Sequence, residues 1–94
     1  SYIGMFVKRI FHHDDFLKDF CELSWDVQKR TVKIGKLFRE NPLHPSLRLH
    51  QLHGSLMGIW SISVTEKIRI LFQREESGDI VFLSIGHHDI YKNL

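Results

Sequence analysis

Ninety-four residues, 43% apolar and 26% charged, amount to one domain with a modest core, and neither a disordered nor a fibrous chain. A net charge of +2, with a pI near 8.9, permits contact with a polyanion but is well short of a histone-like excess. The single cysteine, Cys21, excludes an internal disulfide and a cysteine-based zinc cage, and no run approaches the roughly 18 apolar residues of a membrane span.

Met5–Phe11 is too short, and too interrupted by Lys8 and Arg9, for a signal peptide, and a lone cysteine suits a reducing compartment; the expected location is the cytoplasm. Ser1 is not an initiator, so Ser1–Gly4 reads as an addition ahead of a start at Met5, within a single domain over residues 1–94. Met5–Phe11 itself reads as a strand. His12-His13-Asp14-Asp15 breaks it, and Asp14 or Asp15 can cap a helix. Phe16, Phe20 and Leu23 recur at i, i+4 and i+7, with Leu17 beside them, as on a short amphipathic helix. Ser24 can cap a second helix, in which Val27, Thr31, Ile34 and Phe38 share one stripe and Lys29, Arg30, Lys33 and Lys36 lie largely off it. Asn41-Pro42 ends that helix, because proline disfavours helical backbone in the residue before it.

Pro42–Gly54 lacks a clear period and reads as an ordered loop, with an extended piece at Ser46–Leu52; Gly54 and Gly58 bracket a turn. Ile59–Val64 and Ile68–Gln73 both alternate as strands. A two-residue turn at Thr65-Glu66 would mix their faces, whereas a three-residue loop, Thr65–Lys67, pairs Val64 with Ile68 and Ile62 with Ile70. The three-residue loop is therefore predicted, and it sets Ser61, Ser63 and Arg69 on the face away from the helices. Glu75–Asp79 is a turn, Ile80–Ile85 a strand apolar on both faces, and Gly86 its end. The expected fold class is α+β: an N-terminal strand, a two-helix hairpin, then a three-stranded antiparallel meander with the helices on one face.

Seven histidines are the compositional oddity, at His12–His13, His44/His50/His53 and His87–His88. Arg69, flanked by Ser61 and Ser63, is expected near His50 and His53, which precede the hairpin, and near His87 and His88, which follow the last strand. That set suits metal-free RNA cleavage. One group takes a proton from the 2′-hydroxyl, a cation stabilises charge on phosphorus, and a second group protonates the leaving 5′-oxygen. Imidazole serves both proton roles, and guanidinium matches phosphate. Plainer readings stand beside this one. A surface histidine is usually solvated, and Arg69 could be a cross-strand ion-pair partner. The basic residues of the second helix could be a solvated face. His50-x-x-His53 and His87-His88 have no Glu or Cys at ligand spacing, so no metal and no cofactor is expected. There is no Gly-x-Ser-x-Gly elbow for a serine hydrolase.

Three runs resemble one family. Leu52-His53-Gly54-Ser55-Leu56-Met57-Gly58-Ile59-Trp60-Ser61 resembles the L-x-G-x-x-x-G-x-(W/Y) stretch of the RelE/ParE toxin superfamily. Lys67-Ile68-Arg69-Ile70-Leu71-Phe72 resembles its x-x-R-(I/L)-(L/V)-(Y/F) strand, and Ile85-Gly86-His87-His88-Asp89-Ile90-Tyr91 its closing (I/V)-G-x-(H/R)-x-x-(V/I)-Y segment. With the two helices, the similarity covers nearly the whole chain and lies nearest the YafQ, YoeB and RelE mRNA interferase branches. The resemblance implies the toxin of a bacterial type II toxin–antitoxin system, a metal-independent, ribosome-associated endoribonuclease. It implies Arg69 as the stabilising cation, His50 as base and His87 as acid, with His88 the alternative acid.

Ser61 and Ser63 stand where RelE carries lysines, and Ser63 also replaces a YafQ histidine. Tyr91 matches the C-terminal aromatic that positions substrate or stacks on a base. Arg48, His53, Ser61, Ser63 and Lys67 complete the expected substrate-binding set. The implied partners are a cognate antitoxin, with an acidic amphipathic segment, and mRNA on the ribosome. Two alternatives share the fold: a ParE-like toxin that inhibits DNA gyrase by protein contact, and a degenerate toxin without activity.

Overall fold

The computed structural model describes residues 5–87 and 89. In chain order the elements are strand β1 (Ile10–His12), helices α1 (Asp14–Cys21) and α2 (Trp25–Glu40), and strands β2 (His50–Gln51), β3 (Ile59–Ser63), β4 (Ile68–Arg74) and β5 (Ile80–His87). Short 3-10 turns at Pro45–Leu47 and Gly54–Leu56 flank β2. One sheet holds all five strands in the order β1-β5-β4-β3-β2, with β1 parallel to β5 and every other pair antiparallel. This is the α+β arrangement expected, with the β3–β4–β5 meander at its centre. No helix among the described residues is long and apolar enough to cross a membrane.

Several sequence expectations shift for local reasons. The N-terminal strand is not Met5–Phe11 but Ile10–His12, the stretch that finds a partner: Ile10 opposes Ile80, and His12 opposes Phe82. Upstream, the chain runs past the β4–β5 turn, where the Lys8 N–H donates to the Gly78 carbonyl at 2.9 Å. Arg9 grips Asp79 there in bidentate fashion (3.2 and 3.0 Å), and those hydrogen bonds hold the partly buried Asp79 carboxyl below its usual range. The cap of α1 is His13, not Asp14 or Asp15; its Nδ1 accepts the Asp15 N–H at 3.0 Å, while both aspartates sit in the first turn, where the helix dipole favours them. Ser24 caps α2 as expected, accepting the Val27 N–H. Gly86 does not end β5, which pairs on through His87.

The hairpin loop is the three-residue one. Ile62 opposes Ile70, Ser63 opposes Arg69, and the Val64 N–H donates to the Ile68 carbonyl at 2.8 Å. Thr65 Oγ1 accepts the N–H groups of Lys67 and Ile68, which closes the loop. Strand β5 carries a second device. The register shifts between Leu71 and Phe72, so Phe72 opposes Phe82 while Leu71 opposes Ser84. This bulge breaks simple alternation: Ile80, Phe82 and Ile85 all reach the helix-side core, and Ser84 is left on the other face. A strand that reads as apolar on both faces is thus one strand in two phases.

The core lies between the helices and one face of the sheet. Phe16, Ile34 and Phe38 pack on Ile62, Ile70, Phe72 and Phe82, and Phe38 centres it, with ring centroids 5.0 Å from Phe72 and 6.0 Å from Phe82. Arg30 Nε donates to the Val64 carbonyl at 2.6 Å and ties α2 to the end of β3. In the β4–β5 turn, Gly78 has a φ of +95°, and a Cβ there would meet the Phe6 ring, with its Cζ at 2.8 Å. Gly78→Ala is therefore expected to destabilise the fold by about 1–2 kcal/mol in a chemical melt. An unchanged midpoint would show that the turn adopts another conformation.

Candidate functional site

The strand registers build the face opposite the helices row by row. One row runs Ser63–Arg69–Gly86 across β3, β4 and β5, and the next runs His50–Ser61–Leu71–Ser84 across β2 to β5. Residues paired across antiparallel strands share a face. His50, Ser61, Ser63 and Arg69 therefore stand on one side, as the loop length predicts for Ser61, Ser63 and Arg69. Arg69 is half-buried, and its Nη1 reaches the Ser61 hydroxyl at 3.2 Å. Its cross-strand neighbours are Ser63 and Gly86, and no described carboxylate lies within ion-pair distance of it. The reading of Arg69 as a cross-strand ion-pair partner is not realised. Ser61 is fully buried, and the buried Ser63 Oγ has no hydrogen-bond partner among the described residues.

His50 enters this face because two residues of the long loop pair with β3. Its Nδ1 lies 3.4 Å from the Arg48 carbonyl. The tautomer that donates there leaves Nε2 with a lone pair, as a base requires. Arg48 itself is exposed, with a left-handed φ of 47° at the end of the Pro45–Leu47 turn. His53 is exposed and precedes the Gly54–Leu56 turn without capping it, separated from His50 by the buried Leu52. Lys67 is exposed on the hairpin loop.

His87 is placed differently from the others. It opposes Ile68, whose side chain packs against the helix-side core, so the register sets it one step beyond Gly86 and out of phase with Arg69. Its Nδ1 lies 3.3 Å from Asp89 Oδ1. Asp89 has no role in the sequence reading, although the His87-x-Asp89 spacing was there to suggest an orienting carboxylate. His88 and Tyr91 lie outside the described residues.

Three of the seven histidines have structural work elsewhere. His13 caps α1, His44 caps the Pro45–Leu47 turn by accepting the Ser46 N–H at 3.1 Å, and His12 packs its ring near Phe16 and Phe82. Among the described residues, no three His, Cys, Asp or Glu side chains converge as a metal site. What the face offers is a guanidinium with no counter-charge among the described residues, hydroxyls beside it, and an imidazole one row away. That is an arrangement for holding an anion and moving protons around it.

No protein-family model matches the chain, and no curated protein matches it in sequence. Solved structures do match in shape. The YoeB/ParE toxin from Agrobacterium tumefaciens superposes with a TM-score of 0.72 at 14% identity, covering 86% of this chain and 99% of that one. YafQ from E. coli superposes with a TM-score of 0.72 at 19% identity, covering 89% of this chain and 98% of that one. The toxin–antitoxin complex RelBE2 from Mycobacterium tuberculosis contains a chain matched with a TM-score of 0.64 at 18% identity, covering 90% and 95%. The chain has the fold of these RelE/ParE-type toxins, including those of the YafQ and YoeB branches.

Proposed function

We propose that this protein is the toxin of a bacterial type II toxin–antitoxin pair, acting in the cytoplasm as a metal-independent endoribonuclease on ribosome-bound mRNA. The observation that carries the reading is Arg69: half-buried on the sheet face between Ser63 and Gly86, with no described carboxylate to neutralise it. Holding a guanidinium this way has a cost, which an incoming phosphate offsets. Solved structures of the same fold are toxins, and one is a toxin–antitoxin complex, which supports the toxin role and a cognate antitoxin as partner.

In the proposed reaction His50 takes the proton from the 2′-hydroxyl, which attacks the adjacent phosphorus. Arg69 stabilises the charge that builds on the non-bridging oxygens. An imidazole of the His87–His88 pair protonates the departing 5′-oxygen, leaving a 2′,3′-cyclic phosphate. Ser61 and Ser63 steady Arg69 and the phosphate, Arg48, His53 and Lys67 track the backbone, and Tyr91 stacks on a base. No cofactor takes part.

The acid is identified by single substitutions. His50→Ala is expected to slow cleavage about 10²–10⁴-fold, the usual worth of a proton-transfer group, and one of His87→Ala or His88→Ala to do the same. Growth arrest on expression should be relieved in step. Full toxicity in all three variants would remove histidine from the mechanism.

A further inference from the structure

We infer, on the reading of this face as an RNA-cleaving site, that Ser84 is a further catalytic residue whose hydroxyl donates a hydrogen bond to the leaving 5′-oxygen. The β5 bulge puts Ser84 on this face. Phe72 opposes Phe82 but Leu71 opposes Ser84, so Leu83 is the extra residue. Without that insertion Ser84 would point with Ile80 and Phe82 into the helix-side core. With it, Ser84 turns to the side that carries Arg69. Bulges that re-aim a side chain in this way collect beside active sites.

The hydroxyl has nothing to do in the free protein. Ser84 Oγ is buried and has no hydrogen-bond partner among the described residues, although the residue as a whole keeps some exposed surface. Serine has three staggered χ1 positions, and a change of rotamer turns the hydroxyl outward. A buried hydroxyl without a partner costs free energy, and a substrate oxygen that accepts from it removes that cost. Ser63 Oγ is in the same state, but it stands directly opposite Arg69, where it already has a part.

Place along the sheet decides what Ser84 meets. It ends the row His50–Ser61–Leu71–Ser84, with His50 at the other end, three strand spacings or about 14 Å away. Arg69 leans into the middle of this row, its Nη1 3.2 Å from the Ser61 hydroxyl. Ser84 is the diagonal neighbour of Arg69 across β4 and β5, about 7–8 Å from it. In-line displacement puts the attacking and leaving oxygens on opposite sides of phosphorus. With His50 taking the 2′-hydroxyl proton at the β2 end, the 5′-oxygen departs toward β5. There Gly86 has no side chain and His87 is out of phase with Arg69, which leaves Ser84 in register. Strand β1 stops at His12, opposite Phe82, and the Ile85 N–H is taken by Asp19 of α1 at 3.3 Å, so no described strand extends the row past Ser84. As the phosphorus–5′-oxygen bond breaks, its electron pair stays on the oxygen. Ser84 donates a hydrogen bond to that charge and keeps its own proton; the proton that completes the 5′-hydroxyl comes from the His87–His88 pair.

The test compares mRNA whose scissile 5′-atom is oxygen with mRNA in which it is sulfur, which leaves as a far weaker base and needs no donor. On the oxygen substrate Ser84→Ala should be about 10–100-fold slower, the worth of one hydrogen bond to a charged atom. On the sulfur substrate it should match the parent within about twofold. Arg69→Ala should stay slow on both, because charge builds on the non-bridging oxygens in either case. Ser84→Thr keeps the hydroxyl and should keep most of the rate, whereas Ser84→Cys, a weak donor, should behave as Ser84→Ala. Because alanine removes an unpaired buried hydroxyl, the melting temperature of Ser84→Ala should hold or rise.

A parental rate for Ser84→Ala on the oxygen substrate, or an equal defect on both substrates, overturns the inference and leaves the proposed function standing. A melting temperature that falls in step with the rate overturns it in favour of a structural hydroxyl. A parent protein that cleaves neither substrate overturns the proposed function, and this role of Ser84 with it.

Discussion

Arg69→Ala is expected to slow RNA cleavage by about 10²–10³-fold, the usual cost of removing one preorganised group that meets developing charge. The protein should remain folded. Arg69 makes one side-chain hydrogen bond within the described chain, to the buried Ser61, and no ion pair, so its loss costs about 1 kcal/mol of stability. That separation is the point of the experiment: a large kinetic defect on an intact scaffold identifies a group that acts on substrate. Arg69→Lys keeps the charge but loses the planar fork, and is expected to recover only part of the rate. Wild-type cleavage by Arg69→Ala would place the chemistry elsewhere.

The largest expected effect on stability is at Phe38. The side chain is fully buried between the aromatic rings that β4 and β5 send to the helix side, Phe72 and Phe82. Truncation to alanine removes the ring and leaves a cavity that neighbouring aromatics only partly fill, at about 3–5 kcal/mol. Against the roughly 5–15 kcal/mol of a small domain, that is about a fifth of the total or more. For a chain of this length it corresponds to a fall of roughly 15–30 °C in melting temperature. Trp25, a larger side chain but 67% exposed at the start of α2, is the control: Trp25→Ala should move the midpoint little. A loss at Phe38 no greater than at Trp25 would mean that the core is not centred there. Because Phe72 lies on the strand that carries Arg69 on its other face, softening the core should also lower activity, though less than removing the arginine itself.

The central hairpin was the most legible part of the sequence. Alternation in β3 and β4 admits one loop length that keeps both apolar faces together, and that length places Arg69 with Ser61 and Ser63. The helix stripe Thr31, Ile34 and Phe38 was equally clear, because period and caps agree. What stayed hidden depends on pairing at a distance. The N-terminal strand contracts to Ile10–His12 because only those residues meet β5, in a parallel ladder that no local pattern announces. Strand β5 looks apolar on both faces because a bulge changes its phase, and a one-residue insertion leaves no mark in composition.

The same phase change governs the candidate site. His87 is close in sequence to a residue facing Arg69, yet the register sets it against Ile68, and counting from Gly86 as a strand end could not reveal that. The two capping histidines were also invisible as such, since a histidine accepting a backbone N–H resembles any other histidine before a helix. His50 was placed on the right face because its loop leads directly into β3, so proximity followed from connectivity.

The central claim is that this sheet face cleaves RNA by attack of the 2′-hydroxyl, with Arg69 as the cation. Its most direct test is the chemistry of the product ends. Purified protein is mixed with mRNA-programmed ribosomes in excess EDTA, and the new termini are identified. The account predicts 2′,3′-cyclic phosphates and 5′-hydroxyls, formed without divalent metal by the parent protein and at least a hundredfold more slowly by Arg69→Ala. Ends bearing a 3′-hydroxyl and a 5′-phosphate, or intact mRNA throughout, would contradict it.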